Sequence, residues 1–169
     1  MVKRLVLIIS LCCTIQNCSS SKPQINPSGS KNLPAKKEHI TTKISQSVIK
    51  SAQKYKGTKY KYGGDSKRGM DCSGLIYVAF SDNAISVPRS TSQLKYFGQW
   101  IDLKEVKPGD LVFFATKKNS RNVNHVGIVT QVTNGDLKFI HASSSKGVIE
   151  SRLSQSYWYF AFVQARRVI

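Results

Sequence analysis

Apolar residues fall at a helical period in ISQSVIKSAQKYKG, where Ile44, Val48, Ile49, Ala52 and Tyr55 share one stripe and Gly57 ends it. TKYKYGGDSKRGM follows as a turn-rich loop with three glycines. DCSGLIYVAFSDNA then carries Leu75, Ile76, Val78, Ala79 and Phe80, which predicts a buried helix of about three turns. The helix starts at Asp71 or Cys72. Asp71 suits the N-cap, because its short carboxylate can accept from the free N–H groups of the first turn.

The pattern changes in the second half. GDLVFFAT (109–116), HVGIVTQV (125–132), LKFIHA (137–142), GVIES (147–151) and YFAFVQARRV (159–168) are short, β-branched and aromatic, and turn signals separate them. KPGD at 107–110 is one such turn. Asn134 and Gly135 are another and favour a tight hairpin between the second and third strands. Helices first and strands later predict an α+β domain, with N-terminal helices packed on an antiparallel sheet of about five or six strands.

The start of the chain reads differently. Lys3 and Arg4 precede an apolar run over 5–15, too short to span a bilayer, which reads as a secretory signal over 1–18. A cysteine after such a run, followed by serines, resembles a bacterial lipoprotein signal, with Cys18 as the lipid anchor; the preceding Ile15, Gln16 and Asn17 depart at two positions from the small residues that pattern prefers. Residues 19–43 are rich in Ser, Pro, Lys and Asn and bury too little to offset their ordering entropy, so they read as a flexible linker before a domain at 44–169. His39 falls in that linker, and a solvated, idle imidazole is expected there.

Charge narrows the partners. The chain has 26 Lys and Arg against 9 Asp and Glu, a formal net charge of +17. Such a balance suits an anionic neighbour. Nucleic acid accounts for the charge but not for the export signal, and the basic residues form no stripe interleaved with aromatics.

Cysteine counting isolates one residue. Three of the four cysteines (Cys12, Cys13, Cys18) lie in the first 18 residues, so Cys72 is alone in the folded part and neither a disulfide nor a four-cysteine zinc site is open to it there. At a helix N-terminus, free N–H groups and the helix dipole favour a thiolate, the nucleophilic form. Two histidines stand in the domain, His125 opening one strand and His141 ending the next. An antiparallel hairpin brings such positions together, which allows Cys72 as nucleophile, His125 as base and His141 orienting His125. Spacing alone leaves open a core cysteine with surface histidines, or a metal site of one Cys and two His for which no fourth ligand is evident.

Several motifs in order carry a resemblance: GTKYKYGG before the cysteine, DCSGL around it, VPRSTSQ after its helix, then KPGDLVFF, NHVGIV and FIHASSSKGV. Over about 47–168 the chain resembles the NlpC family of bacterial cell-wall cysteine peptidases, which have a papain-like fold. The resemblance implies catalytic roles for Cys72, His125 and His141. It also implies that Tyr60 stands beside the nucleophile with its hydroxyl aimed at the oxyanion. Asp71 and Ser73 match positions that bind the amino-side part of the stem peptide in some members, although capping alone would also select them. Tyr62 and Arg89 read as structural or peripheral.

The implied substrate is the peptide stem of peptidoglycan, cut between D-γ-glutamate and the diamino acid through a Cys72 thioester, with no metal or cofactor required. An exported, lipid-anchored monomer acting on the wall is the matching expectation, at the outer membrane or periplasm in a Gram-negative cell. With no room for a wall-binding domain before 44, polymeric or crosslinked wall is favoured over small fragments. The competing readings are an acyltransferase or amidase on the same fold and a non-catalytic envelope-binding lipoprotein.

Overall fold

The computed structural model describes residues 33–169, with side chains from 36 onward. The signal at 1–18, its Cys18 and the first part of the linker lie outside the described residues. Helix α1 runs Leu33–Gln53, so it begins earlier than Ile44. Residues 36–40 are exposed, which is why no apolar stripe marks them. They are helical because Lys36, Lys37 and Glu38 are good helix formers, and Pro34 lies in the first turn, where a missing N–H costs nothing. His39 is exposed on this helix rather than in a linker. The C-terminal half of α1 buries Val48, Ile49 and Ala52 as the stripe predicts.

A two-stranded ribbon follows, β1 (Asp65–Ser66) with β2 (Gly69–Met70), and then α2 (Cys72–Ser81). Asp71 is the N-cap: its backbone is extended and its Oδ1 accepts from Gly74 N at 2.6 Å, a contact worth about 1 kcal/mol. Gly74 is required on the facing side, since a Cβ there would collide with the Gly64 carbonyl oxygen. The loop that carries Tyr60 can therefore lie against the start of α2. A short α3 (Thr91–Leu94) and strand β3 (Gln99–Ile101) come next.

The main sheet has six strands in the order β3-β8-β4-β5-β6-β7, where β4 is Leu111–Phe114, β5 His125–Thr133, β6 Asp136–Ser143, β7 Gly147–Arg152 and β8 Phe162–Arg167. Every pairing is antiparallel. Asn134 and Gly135 form the β5–β6 turn with φ of 51° and 77°, the left-handed pair that a tight hairpin needs.

Sequence alternation divides β4 between two cores. Phe113 joins Leu75, Phe80, Val126 and Ile128 beneath the helices. Val112 and Phe114 join Val129 and Phe139 on the other face. Fully burying a side chain of this size contributes about 1.5–3 kcal/mol.

The expected last strand at 159–168 is two elements, α4 (Ser156–Ala161) and β8. Tyr157, Tyr159 and Phe160 are exposed while Trp158 packs on the second core, a helical rather than alternating pattern. Aromatic content there mimicked a strand. Strand β3 was not expected, because QWI at the sheet edge is mostly exposed.

Candidate active site

Cys72 is the first residue of α2 and is 8% exposed. Its Sγ lies 3.5 Å from Thr91 Oγ1 at the start of α3. Burial pushes the thiol pKa up. The Thr91 hydrogen bond opposes this, the Asp71 charge adds to it, and N–H groups of Val126 and Ser73 lower it again; the net is a rise. The helix N-terminus alone would favour thiolate, but a nearly buried sulfur beside a carboxylate holds its proton in the free protein.

Val126 follows His125, so the start of β5 lies against the sulfur. His125 is fixed from behind by Asn124, whose Oδ1 accepts from Thr116 N at 2.8 Å, whose Nδ2 donates to Thr116 Oγ1 at 2.9 Å, and whose N donates to Phe114 O at 3.0 Å. The pairing of Ile128 with Ile140 brings His125 and His141 to the same end of the sheet. Their rings meet edge to face, with His125 Nε2 3.0 Å from His141 Nδ1. His141 Nε2 is in turn 2.9 Å from Ser151 Oγ on β7. Gly127 makes the approach feasible, because a Cβ there would stand 2.7 Å from the Phe139 ring and 3.3 Å from His141 Cβ.

This chain of contacts admits the tautomers that base catalysis needs. If His141 Nε2–H donates to Ser151, His141 Nδ1 accepts from His125 Nε2–H, and His125 Nδ1 is left as a free acceptor. Trp158 stacks on His125 at 5.4 Å between centroids and meets His141 edge-on at 4.7 Å. Burial brings the His125 pKa down to about 4. Burial, and then the neighbouring His125, lowers that of His141 as well. Both rings are therefore neutral at pH 7.

Two cavities flank the sulfur. One, of about 520 Å³, is lined by Tyr60, Tyr62, Asp71, Ser73, Arg89 and Thr91 among others. The other, of about 300 Å³, holds Tyr60, Asn124, His125, Trp158 and residues of the loop 143–145. Tyr60 lines both. Burial raises its pKa, and Cys72 and Asp71 raise it further, so its hydroxyl keeps a proton to donate.

Asp71 is fully engaged. Its carboxylate accepts from Gly63 N at 2.7 Å, Gly74 N at 2.6 Å, Ser73 Oγ at 3.1 Å and Arg89 Nη1 at 3.0 Å. Burial would raise its pKa, but the Arg89 and backbone hydrogen bonds with the Arg89 charge outweigh it and hold the carboxyl below its ordinary range. Of the two roles expected for Arg89, the structural one holds: it ties Asp71 to Ser73 Oγ and to the Gly64 carbonyl. Tyr62 is 89% exposed on the rim.

Sequence reasoning missed Thr91, Ser151 and Trp158. Thr91 stood inside VPRSTSQ without a motif role, Ser151 closed a strand as any polar residue does, and Trp158 lay just before the strand expected at 159–168 and was given no role.

The α+β architecture is papain-like. The NlpC/P60 family pattern matches residues 57–167, and the chain belongs to that family. It is 48% identical over 117 residues to a probable endopeptidase NlpC of Escherichia coli (strain K12), covering 69% of this chain and 73% of that one. It is 30% identical over 171 residues to the murein DD-endopeptidase MepS/murein LD-carboxypeptidase of the same strain, covering 96% and 87%. A crystal structure of a lipoprotein-like NLP/P60 protein from Staphylococcus aureus subsp. aureus Mu50 superposes with a TM-score of 0.65 at 35% identity, over 75% of this chain and 42% of that one.

Proposed function

We propose that this protein is a cysteine endopeptidase that hydrolyses peptidoglycan stem peptides, with Cys72 as nucleophile. The observation that carries the reading is the chain of contacts from Ser151 through His141 to His125, which engages His125 Nε2 and not Nδ1, with His125 lining the cavity that also holds Cys72 and Tyr60. Membership of a family whose relatives are named endopeptidases supports it.

The resting pair is neutral thiol and neutral imidazole. As Sγ attacks the carbonyl carbon, the thiol proton passes to His125 Nδ1. Tyr60 O–H and the Cys72 backbone N–H donate to the oxyanion. His125 then gives the proton to the leaving nitrogen, the C–N bond breaks, and a thioester remains on Cys72. Water loses a proton to His125, its oxygen attacks the thioester, and the acid product and the thiol are regenerated. Trp158 keeps solvent from both imidazoles. Asp71, Ser73 and Arg89 form the wall of the cavity opposite His125, which takes the amino-side, acyl half of the substrate.

The bond assigned is that between D-γ-glutamate and the diamino acid. A second reading, cleavage between two D-configured residues, is favoured by the name of the 30% identical relative. Digestion of diaminopimelate- and lysine-type walls, with mass spectrometry of the fragments, separates the two. New termini at γ-glutamate support the first and opened crosslinks the second, whereas intact walls of both types overturn the peptidase reading.

The reading includes export and a lipid on Cys18, in an envelope-bound monomer. Among the described residues no helix is long and apolar enough to cross a membrane. Incorporation of labelled fatty acid that persists in Cys18→Ala would contradict the anchor.

A further inference from the structure

Thr116 and Tyr157 each line two cavities. They border the His125 side of the site, and they also border a neighbouring groove of about 550 Å³. The groove is bounded by Lys117, Lys118 and Arg121 of the loop before β5 and by Tyr157 and Phe160 of α4. The two aromatic side chains are 60% and 76% exposed.

The cations distinguish this groove from the opposite end of the cleft. Around Asp71 the charges are internally paired, with Arg89 Nη1 3.0 Å from Asp71 Oδ1. Lys117, Lys118 and Arg121 pair with no carboxylate, and every Asp and Glu of the chain lies among the described residues. Three unneutralised cations at one end of a cleft favour an anionic occupant.

Chemistry sets the direction. His125 must protonate the leaving nitrogen, so the leaving fragment extends from His125 past Thr116 and Tyr157. That path enters the groove. We infer that the groove is the subsite for the leaving-group half of the substrate, with Lys117, Lys118 and Arg121 recognising a carboxylate on the diamino-acid side of the cut bond and Tyr157 and Phe160 packing on its aliphatic stem. The inference rests on the proposed peptidase reading and adds a specificity determinant to it.

The test uses the full chain with Cys72→Ala, which cannot turn over, and two synthetic stem peptides identical except that the leaving-side carboxylate is free or amidated. The free acid binds roughly five-fold tighter, the scale of one or two half-exposed ion pairs. Backbone amide signals of 116–121 and 157–160 shift on binding. In Lys118→Gln/Arg121→Gln the preference collapses, and in the corresponding active enzyme kcat/KM falls through KM with kcat nearly unchanged. Equal binding of acid and amide, equal weakening of both peptides by the double variant, or no binding of either peptide overturns the assignment. If the preference is present while the active enzyme never cuts either peptide, the groove stands and the hydrolytic reading fails.

Discussion

His125 Nε2 lies 3.0 Å from His141 Nδ1, across two strands that meet at the Asn134 and Gly135 turn. His141 has no direct task in the chemistry proposed above. Its part is to accept from His125 and so to hold the second nitrogen, Nδ1, ready for a proton. His141→Ala is expected to lower kcat by about 10²-fold and to shift the pH profile. His141→Gln, whose amide oxygen can still accept, is expected to recover part of the loss. Equal losses in both variants, with an unmoved profile, would mean that His141 only fills space.

The thiol gives a second prediction. Burial holds its pKa above the ordinary 9.0, so alkylation of the free protein by iodoacetamide is expected to be slow at neutral pH and to rise into the alkaline range. Thr91→Val removes a hydrogen bond that lowers the value and should move the rise still higher. A reactivity plateau reaching below pH 7 would instead show a standing thiolate–imidazolium pair.

Acid stability follows from the histidines. His125 takes its proton near 4 in the fold but near 6.5 when unfolded. Between those values the unfolded state binds more protons, so stability falls as pH falls through the window. His141, lowered from the same 6.5, acts in the same direction. Urea midpoints measured from pH 7 to pH 4 should decline, and His125→Gln should flatten the decline. The lowered carboxyl of Asp71 acts in a more acid range, where stability present above its ordinary pKa is lost as pH falls through its folded value. A urea midpoint flat from pH 7 to pH 4 would show that the imidazoles are not held neutral by burial.

Gly127 tests the packing behind the site. An alanine Cβ would press on the Phe139 ring at 2.7 Å and the Ile140 carbonyl oxygen at 2.9 Å. Gly127→Ala is expected to cost about 1–3 kcal/mol and to reduce kcat by displacing His141. Unchanged thermal stability and unchanged activity would show that the two strands have slack the geometry does not suggest.

Asp71 separates capping from charge. Asp71→Ala removes the acceptor of the Gly63 and Gly74 N–H groups and the partner of Arg89, and is expected to lower the melting temperature by several degrees, with the cap alone worth about 1 kcal/mol. Asp71→Asn keeps an acceptor at the cap and should lose less. An alanine variant as stable as the parent chain would leave the network without a structural role.

What could be read from the chain followed its local signals. The buried helix after Cys72, the cap at Asp71 and the hairpin at Asn134 all rest on short-range chemistry, and all are present. The meeting of His125 and His141 was legible because strand order and a tight turn constrain it. The helical start of α1 was not, since exposed residues leave no apolar period. Trp158 was hidden for the opposite reason: four of the five residues at 157–161 are aromatic and suggest a strand, and only tertiary packing reveals that one of them turns inward. For Arg89 the sequence left a structural and a peripheral role open, because its partner, Asp71, stands 18 positions away. The raised thiol pKa could not be read at all, since burial and the Asp71 charge arise only in the fold.

In the proposed mechanism Cys72 carries the acyl group. Purified peptidoglycan is incubated with the full chain and, in parallel, with Cys72→Ala, the thiol kept reduced. Soluble fragments are read by mass spectrometry, and the protein's intact mass is read after an acid quench. Stem fragments are expected from the wild-type chain alone, with a transient mass gain on it equal to everything on the acyl side of the cut bond in the fragment being cleaved. Fragments released equally by Cys72→Ala would contradict the claim.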